Sequence, residues 1–423
     1  MNRKQLSLLI VVCVVLGAAG LILSKRREAD WNKASAELGQ KLVKDFPIND
    51  IAQLRIKSQE AEVNVTKKGD DWVVKERGEY PANFGEVTDV LRKFWDLKVT
   101  QPQPISQTQL GRLELLPPDK GGTNSGTLVE CKDAGGKTLV ALTLGKKHMK
   151  QARGESQFGG GSWPDGRYVM VGDDPKKVSL IKDELSNLEP KPEHWLNKDF
   201  FKVEKLKAVS VVATNATNNW KLARETETGE WKLTDAKGDE KADSSKVSGM
   251  NYLLNSPSFN DVALTWSFNE TNKPATTATL ETFENFKYLV KLASKGGDDY
   301  YLNVAVSATL PKERTGATTN ETKEVKEKLD KEFKEKTEKL QEKLKTEQAY
   351  GKWTYVVSKW TVDNLLKERK DLLAEIKKEE PKKEEPKPAE TKPAPPKKPE
   401  LKPPPKPTQT NKVESPGDSL VPK

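Results

Sequence analysis

Few residues in this sequence are equipped for chemistry, and their spacing limits what they can do. There are two histidines, His148 and His194, and two cysteines, Cys13 and Cys131. Two histidines rule out HExxH and multi-histidine metal sites, and neither a CxxC pair nor a zinc spacing exists. Cys13 lies in an apolar run and Cys131 in an expected strand, so no disulfide joins them; Cys131 reads as a small buried residue. His148 falls in a variable loop, and His194 in a Pro-containing connector beside Trp195 and Phe200, surroundings that suit packing or solvent. Asp70 and Asp71, like Asp298 and Asp299, follow glycines, where aspartate is favoured by hydrogen bonds to local backbone. The stretch "GGGSWPDG" (residues 159–166) lacks a following Lys-Ser/Thr step and reads as a flexible loop. No GxxxxGK(S/T), GxGxxG or GxSxG element occurs. The chain is therefore expected to be non-enzymatic, with no catalytic, cofactor-binding or metal-ligating residue and no cofactor.

The stretch "GDDWVVKERGEYPANFGEV" (residues 69–87) has a partial echo about 160 residues later, in "TGEWKLTDAKGDEKADSSKV" (228–247). Around the first copy, residues 51–58, 61–68 and 71–76 alternate or cluster β-formers between turn residues and predict a three-stranded meander. Asn83 is a helix cap, Glu86 completes a capping-box pattern, and Val87, Val90, Leu91, Phe94 and Trp95 share one helical face. Residues 97–102 end that unit; strands at 126–132, 137–145 and 166–172 and a short helix at 177–185 follow. The order then returns. Residues 206–212, 219–225 and 229–235 echo the meander, and Asp243, Val247 and Met250 stand where Asn83, Val87 and Val90 stand. Residues 277–294 match the 127–144 hairpin, 351–357 match the 166–172 strand, and 362–373 match the closing helix. Trp72 and Trp231 take matching strand positions as packing residues. Glu79, Tyr80 and Pro81 have no counterpart near 238–241, so the stretch reads as a fold unit turning from sheet to helix. A period this long means a duplicated domain.

The expected fold class is α+β: an N-terminal transmembrane helix, then two tandem antiparallel-sheet-plus-helix domains. The boundaries are 1–28 for the anchor, 29–44 for a polar helical stalk, 45–188 for the first repeat, 189–201 for a connector, 202–375 for the second repeat and 376–423 for a disordered tail. A charged helical insertion, 311–350, takes the place held by 146–166 in the first repeat. Its Val325, Leu329, Phe333, Leu340 and Leu344 form a sparse stripe interrupted by Lys336, and Glu324 with Lys328 and Glu335 with Lys339 support the helix. It reads as a solvated protrusion or a coiled-coil arm. The tail holds thirteen of the chain's 26 prolines and cannot bury a core.

Residues 6–23 are an uncharged run of 18, long enough to cross a hydrocarbon core, with Arg3 and Lys4 before it and Lys25, Arg26 and Arg27 after. A cleavable signal peptide is the rival reading. The lipid bilayer is thus the expected partner of residues 6–23. The basic residues after the run, taken alone, favour a cytoplasmic bulk; the short basic start before an apolar segment favours export, and a periplasmic bulk on the bacterial inner membrane is expected. Of the net charge of +9, the tail carries +4 and residues 1–30 carry +3. The body is nearly neutral, and no nucleic-acid partner is expected.

These blocks resemble bacterial proteins carrying the "domain of unknown function 4340". The likeness rests on "DWVVKERGEYPANFGEVTDVLRKFWDLKV", "GTLVECKDAGGKTLVALTLGKK", "GRYVMV" and "HWLNKDFFKVEKLKAVSVV", in order, with the N-terminal apolar run. It covers roughly residues 45–300 and resumes near 351–373, while the charged insertion and the Pro/Lys tail depart from the pattern. Family members are often encoded beside ABC-transporter components of the gliding-motility auxiliary type. The resemblance therefore implies a membrane-attached envelope role with transporter subunits as protein partners, and it brings no catalytic residues. The functional expectation is a binding or scaffolding accessory of an envelope or transporter complex. Two alternatives stand beside it: a polymer tether using the Lys/Pro tail, and an envelope enzyme with carboxylates gathered from distant parts of the chain.

Overall fold

Alternation of apolar and polar residues sets the first strands. In β1 (Gln53–Lys57) Leu54 and Ile56 are buried, and in β2 (Glu62–Lys68) Val63 and Val65 face the same core. Their opposite faces carry Arg55 and Glu62, half-buried and paired with each other. The computed structural model describes residues 15–18, 20–22, 24–25, 36–120, 122–151, 162–268, 275–314 and 322–375. Residues up to 375 belong to one compact unit; the tail, 376–423, lies outside the described residues.

The first sheet continues with β3 (Asp71–Val74), β4 (Tyr80–Pro81), β5 (Val99–Pro102), β6 (Thr127–Lys132), β7 (Thr138–Gln151), β8 (Ser162–Val171) and β9 (Val178–Ile181), in the order β4-β3-β2-β1-β6-β7-β8-β9-β5. The second contains β10 (Leu206–Val212), β11 (Trp220–Ala223), β12 (Lys232–Leu233), β13 (Asp261–Ala263), β14 (Thr276–Thr282), β15 (Phe286–Gly296), β16 (Asp299–Ala308) and β17 (Thr354–Ser358), ordered β12-β11-β10-β14-β15-β16-β17-β13. Removing the two-residue β4 leaves the same order of eight strands in both sheets. The pairings are antiparallel.

This order corrects part of the repeat alignment. Residues 166–172 lie in β8 and correspond to β16, whereas 351–357 enter β17, the counterpart of β9. The expected helix at 177–185 is instead β9, four consecutive buried residues, Val178, Ser179, Leu180 and Ile181, whose burial on both sides suits a strand covered on both faces. The charged insertion consequently sits one connection later than expected, between β16 and β17. There α3 (Lys323–Ala349) forms, capped by the Thr322 hydroxyl on the Val325 N–H.

Two antiparallel sheets dominate and helices are few, which corrects the expected α+β class of paired sheet-plus-helix domains. α1 (Phe84–Asp96) is a true amphipathic helix: Asn83 accepts from the N–H groups of Gly85 and Glu86, and Val87, Val90, Leu91 and Phe94 are buried, Phe94 edge-on to Phe46 at 6.2 Å. Its duplicate α2 (Ser244–Val247) keeps the cap, Asp243 on Ser245 and Lys246, but lasts four residues before tightening to a 3₁₀ turn. Serines and Gly249 are poor helix formers, and a Cβ at Gly249 would stand 2.8 Å from the Asn364 side chain of α4 (Lys359–Leu366). The second copy has no room for a longer helix there.

The expected transmembrane helix is also corrected. Among the described residues no helix is long and apolar enough to cross a membrane. Of residues 6–23, residues 15–18 and 20–22 are described, and the rest of that stretch lies outside the described residues. The single-pass expectation loses its structural support with it. The stalk expected at 29–44 is described from Ala36, and helix ends after Glu37. From there the chain docks on the first sheet: Gly39 donates to Val99, Leu42 to Leu97 and Val99 to Gln40, at 2.7–2.9 Å.

Candidate interaction surface

The residues singled out for chemistry are scattered. Cys131 is buried in β6, and burial pushes its thiol up to about 12, far from a nucleophilic thiolate at neutral pH. His194 lies in the 3₁₀ turn Pro192–Trp195, edge-on to Trp195 at 5.6 Å. Asp70 and Asp71 form the β2–β3 turn and Asp298 and Asp299 the β15–β16 turn, two connections that are not equivalent in the repeat. Trp72 in β3 and Trp231 beside β12 are both buried, and the Trp231 indole donates to the Asn251 side chain at 3.0 Å. The described residues contain no group of three or more His, Cys, Asp or Glu able to hold a metal ion. A juxtaposition missed from sequence is His148 with Asp165, whose Nδ1 and Oδ1 are 2.5 Å apart. Antiparallel pairing of β7 with β8 brings them together, and the bulge beside His148 hid that register.

Tyr80 explains why the first copy has residues without a counterpart. β4 places its ring in the second half, against Trp353, Phe259 and Tyr355 at centroid distances of 5.2, 5.9 and 6.1 Å. Phe200 from the connector completes the cluster, 4.5 Å from Tyr355 and 5.1 Å from Phe259. The same connector caps β4: Ala82 bridges Leu196, the Asn83 N–H donates to Trp195, and the Asn197 N–H donates to Pro81. The Asn83 N–H is thereby committed to the connector, so Asn83 supplies the forward half of the capping box alone. Arg77 binds Asp261 of β13 through both carboxylate oxygens, at 2.6 and 2.8 Å, a planar fork across the halves. Between them Gly78 adopts φ +65°, and a Cβ there would lie 2.9 Å from Leu264, so this turn both needs glycine and admits the second half closely. One hydrophobic core runs through both sheets.

α3 is anchored by its last turns. Leu340 and Leu344 pack on that core, and Glu347 is buried, accepting from the Tyr288 hydroxyl at 2.7 Å and the Lys202 N–H at 2.9 Å. Burial raises the Glu347 carboxyl above its ordinary value, which the two donors only partly offset. The stripe seen in the sequence therefore divides: Leu340 and Leu344 are half-buried against the core, while Val325 is exposed.

The residues read as a loop at 146–166 begin and end as strand. β6 stops opposite Leu144 and β9 opposite Arg167, yet β7 and β8 remain paired out to Gln151 with Ser162, forming a two-stranded ribbon beyond the sheet. Its root is clamped by Arg167 donating to the Gly145 carbonyl at 2.8 Å and by Lys147 bound to Glu184 at 3.1 Å. Farther out, Met149 is 46% and Trp163 49% exposed. They lie on opposite faces, because Met149 pairs with Pro164 and Lys150 with Trp163. Large apolar side chains exposed on a ribbon with a clamped root make it the candidate interaction surface.

A family model described as "Domain of unknown function (DUF4340)" matches residues 72–281, from β3 of the first sheet to β14 of the second. No curated protein and no solved structure matches the chain.

Proposed function

We propose, from the premise that this chain belongs to the DUF4340 family, that it is a non-enzymatic binding or scaffolding module whose partner is a protein seated on the β7–β8 ribbon. The observation that carries this reading is the ribbon itself: a clamped root, backbone running past its neighbours, and Met149 and Trp163 exposed at its outer end. Unpaired strand edges supply main-chain hydrogen bonds to an added segment, and the flanking aromatic supplies an anchor. The resemblance noted in the sequence directs the first search to ABC-transporter subunits of a bacterial envelope complex.

Shifted titrations elsewhere have structural explanations that support a binding role. Glu347 fixes a helix, Arg77 joins the halves, and Glu62 is held at about 2, chiefly by its hydrogen bonds from Arg55. Co-purification tests the reading. The wild-type chain is expected to retain a transporter subunit, and the Met149→Ala/Trp163→Ala double variant to lose it with an unchanged melting temperature. An empty wild-type pull-down, or equal retention by the variant, contradicts the proposal.

A further inference from the structure

A cleft of about 780 Å³ opens where the 36–44 segment docks beside β5 and the turn that leads from β8 into β9. Four lysines line it, Lys41 and Lys44 from the segment and Lys176 and Lys177 from the turn, with Glu37 the only acid on its wall. None of these four lysines forms an ion pair with a carboxylate of the described residues. Asp174, the nearest acid in sequence to the turn, is used locally, accepting the Lys176 N–H at 3.0 Å. Lys41 is fixed by the Trp95 ring, its Nζ 3.4 Å from the centroid. That contact also accounts for Trp95, which the helical stripe predicted to be core and which is 46% exposed.

Like charges gathered around one recess repel, and an anion entering it relieves the repulsion. Lysine is a compact point charge that neutralises phosphate without the planar fork by which arginine selects a carboxylate. The same walls include Leu42, Val99 and Val171, and the floor carries the buried Ser179. We infer that this cleft is a binding site for a ligand with clustered phosphate charge, one that admits an apolar portion beside the phosphates. This site is separate from the ribbon and does not depend on the protein partner proposed above.

Two probes separate the sources of such a group: tripolyphosphate, followed by calorimetry on the full chain, and flotation with phosphatidylcholine vesicles with and without phosphatidylglycerol. Lys176→Glu/Lys177→Glu is expected to weaken binding by about tenfold or more at unchanged melting temperature, since both side chains are exposed on a turn. Lys176→Arg/Lys177→Arg is expected to retain it. The remote swap Lys326→Glu/Lys345→Glu, on α3, removes the same net charge and is expected to change binding little. Lysine-dependent binding of tripolyphosphate alone assigns a soluble phosphate compound, and of the anionic vesicles alone a lipid headgroup; either supports the site. No binding of either probe, or equal weakening by the turn and remote swaps, overturns it.

Discussion

Glu347 and Glu62 are both held by hydrogen bonds, yet they tilt the pH dependence of stability in opposite directions. Burial leads at Glu347 and raises its carboxyl. Between the ordinary value of 4.5 and the raised folded value, the folded state holds a proton that the unfolded chain has lost, so this group makes stability rise as pH falls. Hydrogen bonds from Arg55, at 2.8 and 3.0 Å, lead at Glu62 and hold it at about 2. Stability from that pair is fully present above 4.5 and is lost as pH falls toward 2. Glu347→Gln keeps an oxygen to accept the Lys202 N–H and offers an amide N–H to the Tyr288 hydroxyl, which can itself donate to the Lys202 carbonyl, while removing a buried charge. It is expected to match or exceed the wild type in urea unfolding at neutral pH, and Glu347→Ala, which orphans the Lys202 N–H and leaves the Tyr288 hydroxyl only the Lys202 carbonyl, to lose about 1–3 kcal/mol. A Gln variant less stable than Ala contradicts the assignment. Glu62→Gln is expected to flatten the acid limb of a pH–stability curve; an unchanged limb below 4.5 removes Glu62 from it.

At the scale of elements, β4 is two residues long yet joins the halves. Tyr80→Ala removes a ring from a closed aromatic cluster and is expected to cost about 3 kcal/mol or more by denaturant titration. A loss below about 1 kcal/mol, the range of exposed sites, contradicts the junction. The meander, the cap at Asn83 and the apolar face of α1 were legible in the sequence, because each depends on spacing within a few residues. Tyr80 was legible only as a mismatch between repeats, since its contacts lie more than 170 positions away in Phe259, Trp353 and Tyr355. β9 was misread because a buried run as short as Val178–Ile181, three of its four residues apolar, carries no period that separates strand from helix. The ribbon was hidden by "GGGSWPDG", whose glycines announce a turn and conceal how far the flanking strands extend. The helix at α2 was overestimated because its cap survives duplication and its helix formers do not.

At the scale of the molecule, two copies of one strand order share a main core that runs through both sheets, with a smaller cluster of Leu110, Leu115, Met170 and Val178 on the first. Arg77 on Asp261 and the aromatic cluster lock the copies in one arrangement, which lets the ribbon and α3 project from a fixed body. Hydrogen exchange across a denaturant series is expected to show β1–β3 and β10–β12 losing protection at the same midpoint. Separate midpoints contradict a fused body. The most direct test of the functional account is a photo-crosslinking amino acid placed at position 163, with position 212, an equally open apolar site on β10, as control. The account predicts a discrete adduct of one protein mass from position 163 and none from 212. The same adducts from both positions, or none from 163 in cells that carry the transporter subunits, contradict it.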